Sequence, residues 1–363
     1  FGFDRSVSPI DEGNHFNKIM ICREWWYYTA VFTEGDLSGW TLSVSFNHMA
    51  RGDLFGINKP DMMVVTLHGP NGEEYGGIIN KERGLGLIRQ PTLQASSPGV
   101  SVTFENSWVE GEFPEWHVHI EDGDIDKNHD IKIDLRYFAP SNPIWTFGDR
   151  SFQKSKSNLA SYVFMGCNVT GTIKIDGNQY KVRGAGHHEH TWSPGIITKG
   201  VVKEWDWCYA TLENGWNVYF SNYKSRHVLS DSKKTTYNPS GTLYITTDDG
   251  ETITLLDNID VTVTKSNSKD DKVLLHVQMP SKISVDAKPS IFQPLIKPCD
   301  MNLELEIEID NAYSRVWKLP TYVGMKIGRS AVSSKLSWTD DDGEKQEVEL
   351  AGIGSIWSMR SLL

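Results

Sequence analysis

An all-β fold built from two related halves is the fold class that this 363-residue sequence predicts. Three observations carry the prediction. Apolar and polar residues alternate along many segments, turn pairs containing glycine separate those segments, and the start and end of the first half recur in the second. No long apolar stripe with the period of a helix stands out. Antiparallel sheets closed into barrels or sandwiches follow.

The alternation is clearest in residues 40–46, 131–136 and 303–310, where every second side chain is apolar. Successive side chains of a strand point to opposite faces, so each segment is predicted to be a half-buried strand. Turn pairs that supply the positive φ of a tight hairpin lie between such segments. They are Asn71-Gly72, Asp176-Gly177, Asn214-Gly215, Asp249-Gly250 and Asp342-Gly343.

The internal repeat sets the predicted domain boundary. Residues 24–32 (EWWYYTAVF) match residues 204–212 (EWDWCYATL), and Ala185-Gly186 near the end of the first half matches Ala351-Gly352 near the end of the second. Both starts and both ends agree in order, which favours two copies of one β unit. The predicted domains are residues 1–195 and 196–363, because Ser193-Pro194-Gly195 breaks the strand pattern.

Composition excludes some classes of function. The formal net charge of −11 argues against a nucleic-acid partner, which would require a basic face. No stretch reaches the roughly 18 uncharged apolar residues of a membrane-spanning helix. The aromatic content of 11% is high enough to supply rigid walls for a core or an apolar pocket.

The most informative segment is the polar run His187-His188-Glu189-His190-Thr191-Trp192. The matching place in the second half, residues 353–357, is a plain closing strand, so a functional site explains the difference economically. On a strand, His188, His190 and Trp192 share one face, while His187 and Glu189 share the other. A neutral imidazole beside an apolar cavity is a natural proton donor or acceptor.

Two other interpretations of the polar run remain open. Its side chains can be satisfied polar groups that tie one domain to the other. His-x-His on a strand is also a metal-ligand spacing, but no third and fourth ligand is evident nearby, so no metal is predicted.

Weaker candidates lie on neighbouring strands. Glu24 falls in an aromatic run with Trp25 and Tyr27, where a buried carboxylate needs a partner, and a structural salt bridge is a better interpretation than catalysis. His48 continues an apolar strand face. Further aromatic residues in the second half, Trp207 and Tyr209, are candidates for the wall of a substrate site.

These motifs, in this order and over most of the chain, resemble the carotenoid 1,2-hydratase family, also called hydroxyneurosporene synthase-like or AttH-like. The chain is similar, more distantly, to the lipocalin-like Diels–Alderases. The resemblance implies two lipocalin-like β domains with a ligand cavity between or within them. The family's hydratases add water to a terminal double bond of an isoprenoid chain without an organic cofactor.

The resemblance also implies site residues. The His and Trp of the hydratase motif, one residue apart, fall on His190 and Trp192. Its Tyr falls on or near Tyr219, whereas its acidic position is Ser221 here, so the expected proton donor is missing. Asp206 and Glu189 are the candidates to replace it.

The expected function is therefore that of a cofactor-independent lyase or isomerase, with hydratase-like acid–base chemistry. It would act on a long apolar isoprenoid or polyene bound at the domain junction. The alternatives are a pericyclase of the Diels–Alderase type and a non-catalytic lipid or pigment binding protein. The expected partner is an apolar small molecule, which is compatible with peripheral membrane association. Oligomeric state and compartment stay open.

Overall fold

The computed structural model describes most of the chain. The described residues are 6–16, 22–49, 61–83, 90–121, 123, 128–147, 160–194, 202–225, 242–248, 250, 252–256, 258–266, 272–274, 277–289, 300–317, 323–340 and 342–361. Two compact units divide the chain: the first comprises Phe1–Gly69 and Glu73–Thr198, and the second comprises Pro70–Gly72 and Lys199–Leu363. Within the described ranges, no helix has the length and apolar character needed to cross a membrane.

The first unit is one curled antiparallel sheet preceded by a short helix, α1 (Pro9–Glu12). Its strands are β1 (Cys22–Gly35), β2 (Thr41–Met49), β3 (Asp61–His68), β4 (Glu74–Arg83), β5 (Gln90–Pro91), β6 (Leu93–Ala95), β7 (Val100–Phe104), β8 (Ser107–Glu112), β9 (Glu115–Ile120), β10 (Ile131–Phe138), β11 (Ile144–Phe147), β12 (Ala160–Ile175) and β13 (Asn178–Pro194). They lie in the order β5-β4-β3-β2-β1-β13-β12-β10-β9-β8-β7-β6, with β11 beside β12. The sheet curls until β2 meets β6 and β7, and it encloses one aromatic-rich core.

The second unit has the same kind of architecture. Its strands are β14 (Val202–Leu212), β15 (Asn217–Ser225), β16 (Thr242–Thr246), β17 (Thr252–Leu256), β18 (Asn258–Lys265), β19 (Lys272–Leu274), β20 (Val277–Gln278), β21 (Pro280–Lys288), β22 (Asn302–Trp317), β23 (Val323–Thr339) and β24 (Lys345–Ser361). The main sheet has the order β17-β16-β15-β14-β24-β23-β22-β21-β18, and β19 pairs with β20. A separate aliphatic core lies on one face of this sheet. The predicted all-β, lipocalin-like fold class is thus confirmed.

The local predictions from the sequence are confirmed in the same way. Burial alternates over residues 131–136 of β10 and over residues 302–308 of β22, with the apolar side chains buried and the polar ones at least partly exposed. All five predicted turn glycines have positive φ, between 79° and 90°: Gly72, Gly177, Gly215, Gly250 and Gly343.

The repeat appears in the strand order. In the first unit β1 lies between β2 and β13, and in the second unit β14 lies between β15 and β24. The first strand of each half therefore pairs with both the second and the last strand of that half.

The strand register corrects one detail of the repeat. Ala30 and Ala210 occupy the same place in the matched first strands, and they lie opposite Gly186 and Gly354 respectively. The sequence comparison instead pairs Gly186 with Gly352, two residues earlier. A slip of two keeps every side chain on its face, so sequence patterning alone could not detect it.

A segment before β1 closes over the core of the first unit. Ser8 caps α1 by a reciprocal capping box with Asp11. Farther along, the Asn14 side chain donates to the Ala95 carbonyl at 2.9 Å, and the Trp26 indole donates to the Glu12 carbonyl at 3.1 Å. These bonds hold residues 6–16 against the strands, with two acidic side chains buried.

We expect Gly186→Ala to destabilise the first unit. A Cβ there would lie 2.2 Å from the Thr29 carbonyl oxygen and 2.8 Å from a Val169 methyl group, so β1 and β13 would have to separate. The expected loss in the free energy of unfolding is about 1–3 kcal/mol, measured by urea denaturation. Ala185→Ser, at the neighbouring half-buried position, should change it by less than about 0.5 kcal/mol. Equal effects of the two substitutions would contradict the packing described here.

Candidate functional site

The polar run lies on β13, beside β1, and one of its faces points into the core of the first unit. Three cross-strand pairs form that face: Glu24 with Trp192, Trp26 with His190, and Tyr28 with His188. All six side chains are buried, and Glu24, Trp26, Tyr28, His188 and His190 have no exposed surface.

Glu24 is the centre of this polar cluster. Its carboxylate accepts hydrogen bonds from the backbone N–H groups of His15 and Phe16 at 2.9–3.0 Å. The same carboxylate accepts from His15 Nδ1 at 2.9 Å and from His190 Nε2 at 2.8 Å. Burial alone would raise the pKa of Glu24, but the bonds from the two histidines hold this pKa at about 2. Glu24 is therefore an ionised, fully buried carboxylate.

His190 is fixed in one tautomer by this contact. Because Nε2 donates its hydrogen to Glu24, Nδ1 of the neutral ring is an acceptor, and the Tyr162 hydroxyl lies 3.1 Å from it. Burial lowers the pKa of His190 despite the nearby carboxylate, which keeps the ring neutral. Burial, together with the charge of Glu12, raises the pKa of Tyr162 well above its ordinary value. The chain Tyr162–His190–Glu24 thus runs from a phenol, through an imidazole, to a carboxylate.

Aromatic rings hold the histidines in place. The indole of Trp192 stacks on the ring of His15, with centroids 3.8 Å apart and planes within 2°. Trp26 stacks on His190 at 4.8 Å, and the edge of Tyr162 meets His190 at 5.5 Å. Trp192, two residues after His190 and on the same face, therefore positions the cluster through His15.

Three residues of the polar cluster form a group, among the described residues, that could hold a metal ion. The ligand atoms of His15, Glu24 and His190 all lie within 4.8 Å of one another. Here both imidazole nitrogens are at hydrogen-bond distance from one carboxylate oxygen, and backbone N–H groups occupy the carboxylate as well. This geometry favours a hydrogen-bonded cluster. Of the His-x-His pair considered from the sequence, only His190 belongs to this group.

A second buried carboxyl group, Glu12, has the opposite environment. Its oxygens accept from the Trp116 indole at 2.9 Å and from the Phe113 backbone N–H at 3.0 Å. No cation among the described residues pairs with it. Burial raises the pKa of Glu12 from 4.5 to about 7, an effect that the two hydrogen bonds only partly oppose. Two glutamates in one interior therefore differ widely in acidity.

His188 continues the inward face toward Glu12. Its Nδ1 lies 3.3 Å from the Tyr27 carbonyl oxygen, which can only accept, so Nδ1 carries the hydrogen. The ring stacks on Tyr28 at 4.2 Å and packs against Trp116 at 4.7 Å. Burial lowers the pKa of His188 well below its ordinary value. His188 therefore presents a neutral ring with a lone pair on Nε2.

The other face of β13 carries a separate set of hydrogen bonds. Glu189 accepts from the Trp25 indole at 3.1 Å and from the Thr191 hydroxyl at 3.1 Å. His187 Nδ1 lies 2.5 Å from the Thr29 hydroxyl. Tyr27 is near His187, with its hydroxyl 3.1 Å from that of Ser43. His187 and Glu189 thus lie on one face of β13 and His188 and His190 on the other, as the strand periodicity predicts.

His48 is buried on β2 and faces the core of the first unit. Its Nδ1 lies 3.0 Å from a carboxylate oxygen of Asp61, and its ring stacks on Phe16 at 4.1 Å. Since Asp61 also accepts from the Leu93 backbone N–H at 3.2 Å, this pair joins β2, β3 and β6.

The remaining candidates lie in the second unit. Trp207, Tyr209, Tyr219 and Ser221 lie on the face of β14 and β15 opposite the aliphatic core. The Tyr209 hydroxyl donates to Asn217 at 2.7 Å, and Trp207 stacks on Trp205 at 4.1 Å. Ser221 lies 3.4 Å from the Trp205 indole nitrogen, and Tyr219 packs near Tyr244.

The two suggested substitutes for the missing acid are both engaged elsewhere. Asp206 forms a buried two-bond pair with Arg360, at 2.9 and 3.1 Å. Glu189 is held by Trp25 and Thr191. The carboxyl group with the pKa of a proton donor is instead Glu12, which the sequence did not single out.

His15, Glu12 and Tyr162 were missed for one shared reason. They reach the cluster from an N-terminal segment and from β12, and neither carries a motif that points to β13. The available signal was indirect: a carboxylate in the Glu24 run needed buried donors, and a histidine nine residues earlier is a natural one.

Comparison with solved structures identifies the fold. A candidate AttH from Nitrosomonas europaea aligns with a TM-score of 0.59 and 17% identity, over 98% of this chain and 96% of that one. CghA with Sch210972 aligns with a TM-score of 0.60 and 10% identity, over 99% of this chain and 96% of that one. Kievitone hydratase from Nectria haematococca aligns with a TM-score of 0.56 and 10% identity, over 99% of this chain and 96% of that one.

This chain has the AttH-like fold. The fold expected from the resemblance is confirmed over nearly the whole chain. Comparison of the sequence with family models and with curated proteins gives no match. At identities of 10–17% the likeness establishes the AttH-like fold, so the chemistry has to be argued from the residues.

We expect Glu12 to make the protein less stable as the pH rises toward 7. The unfolded chain loses this proton near pH 4.5 and the folded chain near 7, so the folded state binds more protons in between. The free energy of unfolding should fall by roughly 3 kcal/mol across that window. Glu12→Gln should remove that part of the slope, measured by urea denaturation between the two pH values.

Glu110→Gln, on an exposed position of β8, is the matched control and should keep the wild-type slope. A Glu12→Gln variant with an unchanged slope would show that Glu12 does not keep its proton in the folded state.

Proposed function

We propose that this protein is a cofactor-independent lyase of the hydratase type, acting on an unsaturated apolar substrate at the interior polar cluster of its first unit. The observation that carries the proposal is the Tyr162–His190–Glu24 chain. A buried carboxylate that fixes the tautomer of an imidazole, which in turn accepts from a hydroxyl, is an arrangement used for general acid–base catalysis.

Each member of the chain has a distinct task. The Tyr162 phenol contacts the reacting oxygen, accepts its proton and passes its own proton to His190 Nδ1. His190 then holds a positive charge, which the ionised Glu24 stabilises at 2.8 Å. The raised pKa of Tyr162 keeps the phenol protonated until that transfer. His15 and Trp192 keep the carboxylate in place and touch no reacting atom in this scheme.

Hydration of a double bond also needs a proton for carbon. Glu12 is suited to this task because its pKa of about 7 leaves much of it protonated near neutral pH. Two carboxyl groups whose surroundings push their pKa values apart are the usual sign of divided acid and base roles. Glu12 thus supplies the acid that Ser221 does not, while Glu24 stays ionised and supports the base. The indoles of Trp26 and Trp116 offer π faces to positive charge developing on the substrate.

The resemblance supports the substrate class. Kievitone hydratase shares the fold, and isoprenoids or polyenes are the substrates that the resemblance implies. An aromatic interior suits such an apolar chain. A pericyclase would need shape and one or two hydrogen bonds only, and a carrier would need neither acid nor base. Both rivals therefore predict no dependence of product formation on Glu12 or His190.

The test uses compounds extracted from the purified protein, together with kievitone, incubated with enzyme in heavy-oxygen water. Incorporation of the label, detected by mass spectrometry, reports hydration. His190→Gln and Tyr162→Phe should each lower the rate by about 100-fold or more, because each interrupts proton transfer. His68→Gln is the matched control, since His68 is equally buried but belongs to β3, and it should keep the wild-type rate.

Unfolding curves on each variant separate lost chemistry from lost structure. Unlabelled products throughout, or a folded His190→Gln variant with full activity, would refute the proposed function.

A further inference from the structure

Several buried polar atoms of the first unit have no hydrogen-bond partner among the described residues, and two of them belong to rings that stack on each other. These two are the hydroxyl of Tyr28 and Nε2 of His188, and both side chains are fully buried. Leaving such groups unpaired is unfavourable, and native proteins do so rarely. Two such atoms on cross-strand neighbours therefore point to a hydrogen-bond partner from outside the chain.

The two atoms are complementary in chemistry. The Tyr28 hydroxyl can donate, whereas His188 Nε2 can only accept, because the other nitrogen donates to the Tyr27 carbonyl. The two rings are parallel within 6° and 4.2 Å apart. Two hydrogen bonds that meet at one oxygen span up to roughly 5–6 Å, which makes rings stacked this closely compatible with one bridging oxygen atom.

The surroundings define the rest of the ligand. Trp116 lies 4.7 Å from His188, and Phe164 lies 5.9 Å from it on a nearly parallel plane. The Trp116 indole nitrogen is already used by Glu12, so these rings present apolar surface only. No described cation borders the position, which disfavours an anion. The raised pKa of Glu12 and the lowered pKa of His188 keep this end of the interior largely uncharged.

We propose that Tyr28 and His188 form a subsite that binds the neutral hydroxyl group of a small aromatic or other apolar ligand. The ligand oxygen accepts from Tyr28 and donates to His188 Nε2. A carbonyl or ether oxygen satisfies only Tyr28, and a hydrocarbon satisfies neither. The subsite lies beside the Tyr162–His190–Glu24 chain, since the Tyr162 ring also meets His188, 6.2 Å away. It does not depend on the proposed function.

Phenol and toluene are the probes, because they have nearly the same size and differ in a hydroxyl group. Binding is followed by NMR titration, and thermal unfolding shows whether each variant is folded. The wild-type protein should bind phenol about tenfold more tightly than toluene. Tyr28→Phe and His188→Phe, which keep an aromatic ring at each position, should each remove most of that preference. Anisole, which can accept from Tyr28 but cannot donate to His188, should bind less tightly than phenol.

Tyr244→Phe is the matched control, a fully buried tyrosine in the second unit that should leave the preference for phenol unchanged. Equal affinity for the two probes would overturn the subsite. So would a preference for phenol that survives in both variants, or the absence of binding by either probe, which would indicate an ordered water only. His190→Gln distinguishes the two proposals, since it should stop turnover and leave the preference for phenol intact.

Discussion

A buried negative charge on Glu24 is the constraint on which the rest of the site depends. A carboxylate removed from water has to be surrounded by donors, and here they come from two separate parts of the chain. The N-terminal segment supplies the backbone N–H groups of residues 15 and 16 and the ring of His15, and β13 supplies the ring of His190. Satisfying this one group therefore joins the N-terminal segment to β1 and β13. It also fixes the tautomer of His190 and leaves Nδ1 available to Tyr162.

The second half of the chain shows that the sheet does not require this cluster. Strand register places Asp206 and Ser358 where the first unit has Trp26 and His190. Arg360, at the place of Trp192, pairs with Asp206 and satisfies its own buried charge within two strands. The same strand arrangement therefore accommodates either an ion pair or an acid–base cluster. The first unit contains the cluster, which supports the view that its histidines serve a purpose beyond closing the sheet.

The fold could be predicted because its signals are local. Alternation along residues 131–136 and the positive φ at Gly177 both follow from a few neighbouring residues. The polar run was found for the same reason, and its two faces follow from strand periodicity. The partners could not be predicted, since Tyr162 lies 28 residues away and Glu24 lies 166 residues away from His190. Glu12 escaped notice because its pKa is set by burial, which a sequence does not display.

The protonation state of His190 tests the role of Glu24 most directly. Nitrogen-15 NMR of histidine-labelled protein, recorded across neutral pH, distinguishes the two neutral tautomers from each other and from the cation. The predicted spectrum is that of a neutral ring with the hydrogen on Nε2 and a bare Nδ1 that accepts from Tyr162. It should be lost on substitution of Glu24 by Gln, which removes the charge that orients the ring. A doubly protonated His190 at neutral pH, or a hydrogen on Nδ1, would contradict the proton path from Tyr162 to His190.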